Sequence, residues 1–145
     1  MKTAVIGLGL IGGSMAKAFK DNTDSEVYGL DINESVMLKA KLVGAIDGEL
    51  TDDILAQCDR VIIALYPEST VEFLQSKADI IKKGAVVIDC SGVKRYVFTP
   101  AHELATHCFP YHSGMRGISS ADTRWRASRD GGLTARSACC STTLR

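Results

Sequence analysis

Three glycines near the start of the chain have a spacing that suits phosphate binding. Gly7, Gly9 and Gly12 form the pattern G-x-G-x-x-G, with Leu10 and Ile11 between the last two. The pattern follows a predicted strand and opens a predicted helix, where free backbone N–H groups can bind a pyrophosphate. Gly7 would permit the tight turn, Gly9 the close approach of a phosphate, and Gly12 the packing of helix against sheet. The motif therefore predicts a dinucleotide site.

An acidic residue follows at the distance that such a site requires. Asp31 lies 19 residues beyond Gly12, at the end of the second predicted strand. Its carboxylate can accept hydrogen bonds from the adenosine ribose and would repel a 2′-phosphate. Residues 32–34 contain no Arg, so NAD is predicted in preference to NADP. Two alternatives stay open: a glycine-rich turn without a ligand, and Asp31 as a helix N-cap near Asn33.

Two later segments complete the candidate site. Ala64 and Leu65 end a predicted strand, and their backbone could line the nicotinamide side of the crevice; a plain strand-to-helix turn is the alternative. Ser91, in the run Asp-Cys-Ser-Gly-Val-Lys of residues 89–94, follows the next main strand. A hydroxyl, a glycine and a lysine there suit an anionic substrate beside a nicotinamide. A helix cap formed by the Asp or the Ser is the other interpretation.

The elements that position these residues alternate between strand and helix. Because the strands are unbroken apolar runs, they are typical of a parallel sheet that is covered on both faces. The fold class is therefore α/β, a Rossmann-type doubly wound and mainly parallel sheet. Strands are predicted over residues 3–6, 26–30, 45–47, 60–65 and 85–88, and helices around residues 11–19, 34–43, 67–84 and 96–106.

Composition divides the chain at residue 107. Its 145 residues, 46% hydrophobic and 23% charged, suit a single globular domain. Residues 1–107 carry 11 Lys and Arg against 15 Asp and Glu, whereas residues 108–145 carry 6 Arg, no Lys and 2 Asp. We therefore predict a dinucleotide-binding domain over residues 1–107 and an atypical, irregular or disordered tail over residues 108–145. The tail's bias suggests an out-of-frame reading, which the coding DNA around codons 105–115 would test.

Several function classes are disfavoured by composition. The formal net charge is zero, which argues against nucleic acid as a partner, and no apolar run has the length of a membrane span. Five cysteines without zinc-like spacing predict reduced thiols, no metal site and a cytoplasmic location. A short signal peptide over the first 18 residues is the alternative, although its glycine spacing favours the nucleotide motif.

Together these segments resemble the prephenate/arogenate dehydrogenases. The resemblance rests on Val-Ile-Gly-Leu-Gly-Leu-Ile-Gly-Gly-Ser at residues 5–14, Val-Tyr-Gly-Leu-Asp at 27–31, Val-Ile-Ile-Ala at 61–64 and Ile-Asp-Cys-Ser-Gly-Val-Lys at 88–94. It implies NAD(P)-dependent oxidative decarboxylation of prephenate or arogenate, on the route to tyrosine. A family His acts as base and a family Ser places it, which makes His112 and Ser91 the candidates for these catalytic roles; a solvated loop histidine is the other interpretation of His112.

Two departures accompany the resemblance. Ser91 and Gly92 stand in the opposite order to the family's Gly-Ser-Val-Lys, and His112 lies in Tyr-His-Ser-Gly-Met rather than Gly-His-Pro-Met-Ala. The family also has a helical domain that dimerises and closes the substrate cleft. Without it, the chain is expected to be a weakly active or inactive fragment for which a homodimer is doubtful. The alternatives are a β-hydroxyacid-type dehydrogenase and a non-catalytic NAD-binding module.

Overall fold

The described residues fall mainly in the first two thirds of the chain. The computed structural model describes residues 1–92, 96–97 and 100–101 in full, and the backbone of residues 111–113, 126–127 and 133–134. The chain divides into two compact units, Met1–Met115 and Arg116–Arg145. All of the predicted site residues lie in the first unit.

The first unit is built on a six-stranded sheet in which every neighbouring pair is parallel. Its strands are β1 (Lys2–Ile6), β2 (Glu26–Leu30), β3 (Gly48–Glu49), β4 (Arg60–Ile63), β5 (Val86–Asp89) and β6 (Tyr111–Ser113). Its helices are α1 (Leu10–Asn22), α2 (Glu34–Leu42), α3 (Asp52–Leu55) and α4 (Pro67–Lys77). The strand order β3-β2-β1-β4-β5-β6 is that of the Rossmann fold, with the topological switch between β1 and β4. The predicted fold class is confirmed.

Helices cover both faces of the sheet, which explains why the strands are continuously apolar. Ala4 and Ile6 of β1 pack into a core that includes Leu74 of α4, whereas Val5 packs into a second core with Ala16 of α1. Neighbouring residues of one strand thus face opposite layers. Each layer removes a different set of apolar side chains from water, so both faces of a central strand favour apolar residues.

Two predicted strands differ from the structure by more than one residue at an end. The third strand is Gly48–Glu49 rather than residues 45–47. It starts after Asp47 because the Asp47 carboxylate, rather than a backbone carbonyl, accepts the hydrogen bond from β2 at this point. Asp47 Oδ2 accepts from Val27 N–H at 2.7 Å, and Asp47 N–H donates to the Val27 carbonyl at 2.7 Å. Likewise, β4 ends at Ile63 rather than at residue 65, where the chain turns toward α4.

The helices also differ from the prediction. The short helix α3 had no sequence signal that we recognised. The helix that opens at Pro67 ends at Lys77 rather than near Gly84. The apolar spacing continues past the end of the helix because Ala78 and Ile81, in the segment that follows, are also buried in the core. Of the predicted helix over residues 96–106, the four described residues are helical, and the others lie outside the described part.

The predicted tail contains part of the first sheet. Strand β6, beyond residue 107, pairs in parallel with β5. The second unit contains β7 (Arg126–Ala127) and β8 (Leu133–Thr134), which pair antiparallel. The boundary at residue 107 and the irregular character of the tail remain predictions. Among the described residues, no helix combines the length and the hydropathy needed to cross a bilayer.

Candidate dinucleotide-binding site

Packing alone requires two of the three motif glycines. Gly7 follows β1 with φ of +83°, a conformation that L side chains rarely adopt, and its N–H donates to the Leu30 carbonyl at 2.8 Å. A Cβ built on Gly7 would lie 2.5 Å from the Ala64 carbonyl oxygen. A Cβ on Gly12 would lie 1.8 Å from the Gly7 carbonyl oxygen. Gly7 makes the turn and Gly12 lets α1 approach the loop, in the roles expected from the sequence.

Gly9 differs from both, because no contact with the described residues requires a glycine there. Its φ of −66° is open to any residue, and a Cβ at this position would meet none of the described atoms within 4 Å. It is the N-cap of α1, where the first helical N–H groups lack intrahelical partners. The neighbouring Leu10 and Ile11 side chains are exposed, and the first turn has no acidic residue. This open surface at a helix N-terminus fits the pyrophosphate of a dinucleotide.

Asp31 connects the glycine loop to the start of α2. Its Oδ2 accepts from Leu8 N–H at 2.8 Å, and its Oδ1 accepts from Asn33 N–H at 2.9 Å. The side chain is only half-buried, and each carboxylate oxygen keeps a second lone pair that a ribose hydroxyl can use. The N-cap of α2 is Asn33, whose Oδ1 accepts from Ser35 N–H, so the N-cap alternative for Asp31 is wrong.

The charges around Asp31 are unfavourable for a 2′-phosphate. Glu34 lies in the first turn of α2, and Asn33 and a fully exposed Ile32 separate it from Asp31. The two carboxyl groups share this end of β2, and no cation occupies residues 32–34. A 2′-phosphate at this position would therefore meet acidic side chains and no basic residue within residues 32–34.

The loop after β4 lies against the glycine loop at the carboxyl edge of the sheet, where open α/β sheets bind ligands in a crevice. Ala64 N–H donates to the Ile6 carbonyl at 2.8 Å, which extends the pairing with β1 by one residue. Ala64 and Leu65 are half-buried, and both lie against Gly7, as the distances of its built Cβ show. The next residue, Tyr66, is the N-cap of α4 and is 83% exposed. The structure thus brings Ala64 and Leu65 to the glycine loop.

Ser91 lies two residues beyond the end of β5, in a turn that sequence reasoning did not assign to Asp89. Ser91 N–H donates to Asp89 Oδ1 and Ser91 Oγ donates to Asp89 Oδ2, both at 2.8 Å. Both residues are buried, and Asp89 has no exposed surface. An Asp two residues before a Ser, at a strand end, is a recognisable signal for such a turn. Cys90 N–H donates to the Ile63 carbonyl at 2.8 Å, which joins this turn to the end of β4.

His112 lies on β6, paired in register with Ile88 of β5. Its backbone position is therefore on the strand next to the one that leads into Ser91. The His112 side chain, like Lys94, lies outside the described residues. Within the described part of the chain, no group of three or more potential ligands is arranged to hold a metal ion.

Comparison with known proteins decides the family. The family model described as prephenate dehydrogenase, nucleotide-binding domain, matches residues 15–117. The chain belongs to the prephenate dehydrogenase family. Its matched region begins just after the glycine motif and includes Asp31, Asp89, Ser91 and His112. The resemblance seen in the sequence is confirmed.

Individual relatives agree with this family membership. Prephenate dehydrogenase of Bacillus subtilis is 30% identical over 120 residues, which are 79% of this chain and 32% of that protein. The chain thus corresponds to about a third of the length of this relative. The structure of A. aeolicus prephenate dehydrogenase with hydroxyphenyl propionate and NAD+ is similar at a TM-score of 0.66 and 25% identity, over 75% of this chain and 40% of that one.

The Rossmann fold extends to other dehydrogenases. Mycobacterium tuberculosis 3-hydroxyisobutyrate dehydrogenase, solved with L-serine, has a TM-score of 0.69 at 17% identity, over 77% of this chain and 39% of that one. At this identity the likeness shows the fold alone. This similarity therefore does not support the alternative that the chain is a β-hydroxyacid-type dehydrogenase.

Proposed function

We propose that this chain binds NAD as the nucleotide-binding part of a dehydrogenase that oxidatively decarboxylates prephenate or arogenate. The observation that carries the cofactor is Gly9, a glycine that packing against the described residues does not require, at the exposed N-terminus of α1. Asp31 adds a half-buried carboxylate at the adenosine end of the same crevice. Family membership, and the A. aeolicus relative in its complex with NAD+, support the choice of cofactor.

The charge around Asp31 supports NAD as the preferred cofactor. A 2′-phosphate would meet the Asp31 carboxylate with Glu34 nearby, and no Lys or Arg follows at residues 32–34. In addition, two backbone N–H groups hold the carboxylate, so it could not turn away without losing both hydrogen bonds. Rejection of NADP therefore rests on charge and on rigidity.

The reaction assigns different tasks to different residues. A hydride leaves the ring carbon that bears the hydroxyl, the hydroxyl proton passes to a base, and the ring carboxylate leaves as CO₂ while the ring becomes aromatic. NAD, when bound, supplies the hydride acceptor. We assign the base to His112, because a neutral imidazole is suited to this role near neutral pH. Ser91, at the end of the neighbouring strand, would help to place the imidazole and the substrate.

The exposure of the crevice supports a weak activity for this chain by itself. The side chains of Leu10 and Tyr66 are 90% and 83% exposed, so water reaches both walls of the crevice. Hydride transfer is favoured by exclusion of water and by fixed positioning of the reactants. The same observation favours a second candidate function, an NAD-binding module without catalysis. A cytoplasmic location belongs to the proposal and is supported by the free, buried thiol of Cys58.

Binding and turnover, measured separately, test these proposals. NADH fluorescence should increase on binding, and NADPH should bind more weakly. Added prephenate, or arogenate in a parallel assay, should then reduce NAD slowly. Binding without any turnover would favour the non-catalytic module, and no binding of NADH would contradict the cofactor assignment itself.

A further inference from the structure

The buried carboxylate of Asp89 determines how the Ser91 hydroxyl can form hydrogen bonds. A serine hydroxyl has one proton to donate and two lone pairs, whereas a carboxylate can only accept. Because Ser91 Oγ donates to Asp89 Oδ2 at 2.8 Å, its single proton is already used. The second bond, from Ser91 N–H to Asp89 Oδ1, fixes the backbone of the same residue. Toward any other group, Ser91 Oγ can therefore act only as an acceptor.

The position of Ser91 indicates which part of a dinucleotide it would meet. The turn that contains Ser91 is bonded to the end of β4 through Cys90 N–H and the Ile63 carbonyl. The next residue of that segment, Ala64, lies against Gly7 of the glycine loop. Asp31 lies on the opposite side, at the end of β2. If Asp31 holds the adenosine, Ser91 lies on the nicotinamide side of the switch point.

We propose that Asp89 is a positioning residue that fixes Ser91 Oγ as an acceptor for the amino group of the nicotinamide carboxamide. The carboxamide offers an NH₂ donor and a carbonyl acceptor, so it can bind in two orientations. An acceptor-only hydroxyl selects the orientation of the carboxamide in which its NH₂ group points toward Ser91. The inference rests on the proposed function, because it requires that the chain bind NAD.

The variant Asp89→Asn reverses the direction of the key hydrogen bond while nearly conserving shape. Its carbonyl oxygen can still accept from Ser91 N–H, but its NH₂ group must donate to Ser91 Oγ. The hydroxyl proton is then released and can point toward the ligand. The probes are NAD and its 3-acetylpyridine analogue, in which a methyl group replaces the carboxamide NH₂. Their dissociation constants are measured by displacement of NADH, with its fluorescence as the signal.

The ratio of the two affinities is the readout, since a purely structural role would weaken both ligands equally. We expect the unaltered chain to bind NAD roughly 5-fold tighter than the analogue, as one net hydrogen bond provides. Asp89→Asn and Ser91→Ala should each reduce this ratio to about twofold or less, because neither retains the fixed acceptor. If thermal unfolding shows that Asp89→Asn does not fold, Ser91→Ala still tests the acceptor on which the role of Asp89 depends: an unchanged ratio in a folded Ser91→Ala protein would overturn the proposal.

Asp52→Asn is the matched control, because it neutralises an exposed carboxylate that pairs with Lys77. It should leave the ratio unchanged. Two results would overturn the role of Asp89 while leaving the proposed function intact. One is a folded Asp89→Asn protein with the same affinity ratio as the unaltered chain, and the other is an affinity ratio near one in the unaltered chain itself. Failure of the unaltered chain to bind NADH would overturn both.

Discussion

The two edges of the central sheet use their charged residues in different ways. At the amino edge, side chains of different segments pair with one another: Lys82 Nζ lies 2.7 Å from Asp59 Oδ1, and Lys2 Nζ donates to Gln57 at 2.7 Å, while Asp59 Oδ2 also accepts from Lys2 N–H. At the carboxyl edge, Asp31 and Asp89 each accept from the N–H two residues later, and Asp89 also accepts from the Ser91 hydroxyl. The charged side chains of the amino edge therefore bind one another. The turns at the carboxyl edge instead hold two carboxylates in fixed positions beside the proposed ligand site.

The two carboxylates of the carboxyl edge also differ from each other. Each ends a strand or directly follows one, and each accepts from the N–H two residues later. Asp31 is half-buried and can still meet an outside ligand, whereas Asp89 is fully buried and acts on Ser91. The same local turn thus provides a binding group in one place and a positioning group in the other, and burial makes the difference.

The largest expected effect at the carboxyl edge is that of Gly12→Ala. Its Cβ would lie 1.8 Å from the Gly7 carbonyl oxygen, so backbone must move, and we expect a loss of about 3 kcal/mol or more in the free energy of unfolding. Urea unfolding measures it. Gly9→Ala is the matched control for stability, because its Cβ meets none of the described atoms within 4 Å. It should leave stability nearly unchanged but weaken NADH binding; equal stability losses would contradict the division between these glycines.

Asp31→Ala should have the next largest effect, on affinity. It removes the ribose acceptor and the anchors of Leu8 N–H and Asn33 N–H, so NADH binding should weaken roughly 10-fold or more. NADPH should lose less, so that discrimination between the two cofactors decreases. Fluorescence titration measures both constants. Asp24→Ala, an exposed carboxylate near the amino edge, is the control and should change neither; unchanged cofactor preference in Asp31→Ala would exclude Asp31 from the site.

A smaller effect is expected at the amino edge, where Cys58 precedes β4. Burial raises the pKa of its thiol from the ordinary 9.0 to about 11. The neutral thiol therefore favours the folded state: this contribution is complete below pH 9 and is lost as the pH rises from about 9 to about 11. Urea unfolding across this range should show a steeper decline for the unaltered chain than for Cys58→Ala. Parallel declines would show that the thiol titrates normally in the folded protein.

Sequence reasoning was most accurate where the signal is local. For β1, α1 and β2, the predicted ends lie within one residue of the observed ends in all cases except the C-terminal end of α1. Glycine spacing and apolar runs depend directly on the local backbone conformation, which is why these elements were predicted well. Sequence reasoning was less accurate where distant contacts decide. Asp47 delays the start of β3 by bonding to Val27, twenty residues away, and Ala78 and Ile81 remain buried after α4 has ended.

The sequence by itself determined the Rossmann class, the glycine loop and Asp31, since these depend on about 25 adjacent residues and on the periodicity of strands and helices. Only the tertiary structure distinguished Gly9 from Gly7 and Gly12, because the space around a glycine depends on segments far along the chain. It alone identified Asp89, a buried carboxylate whose role follows from the Ser91 hydroxyl that it binds. Local patterns encode backbone shape, whereas burial and open space result from the packing of all elements together.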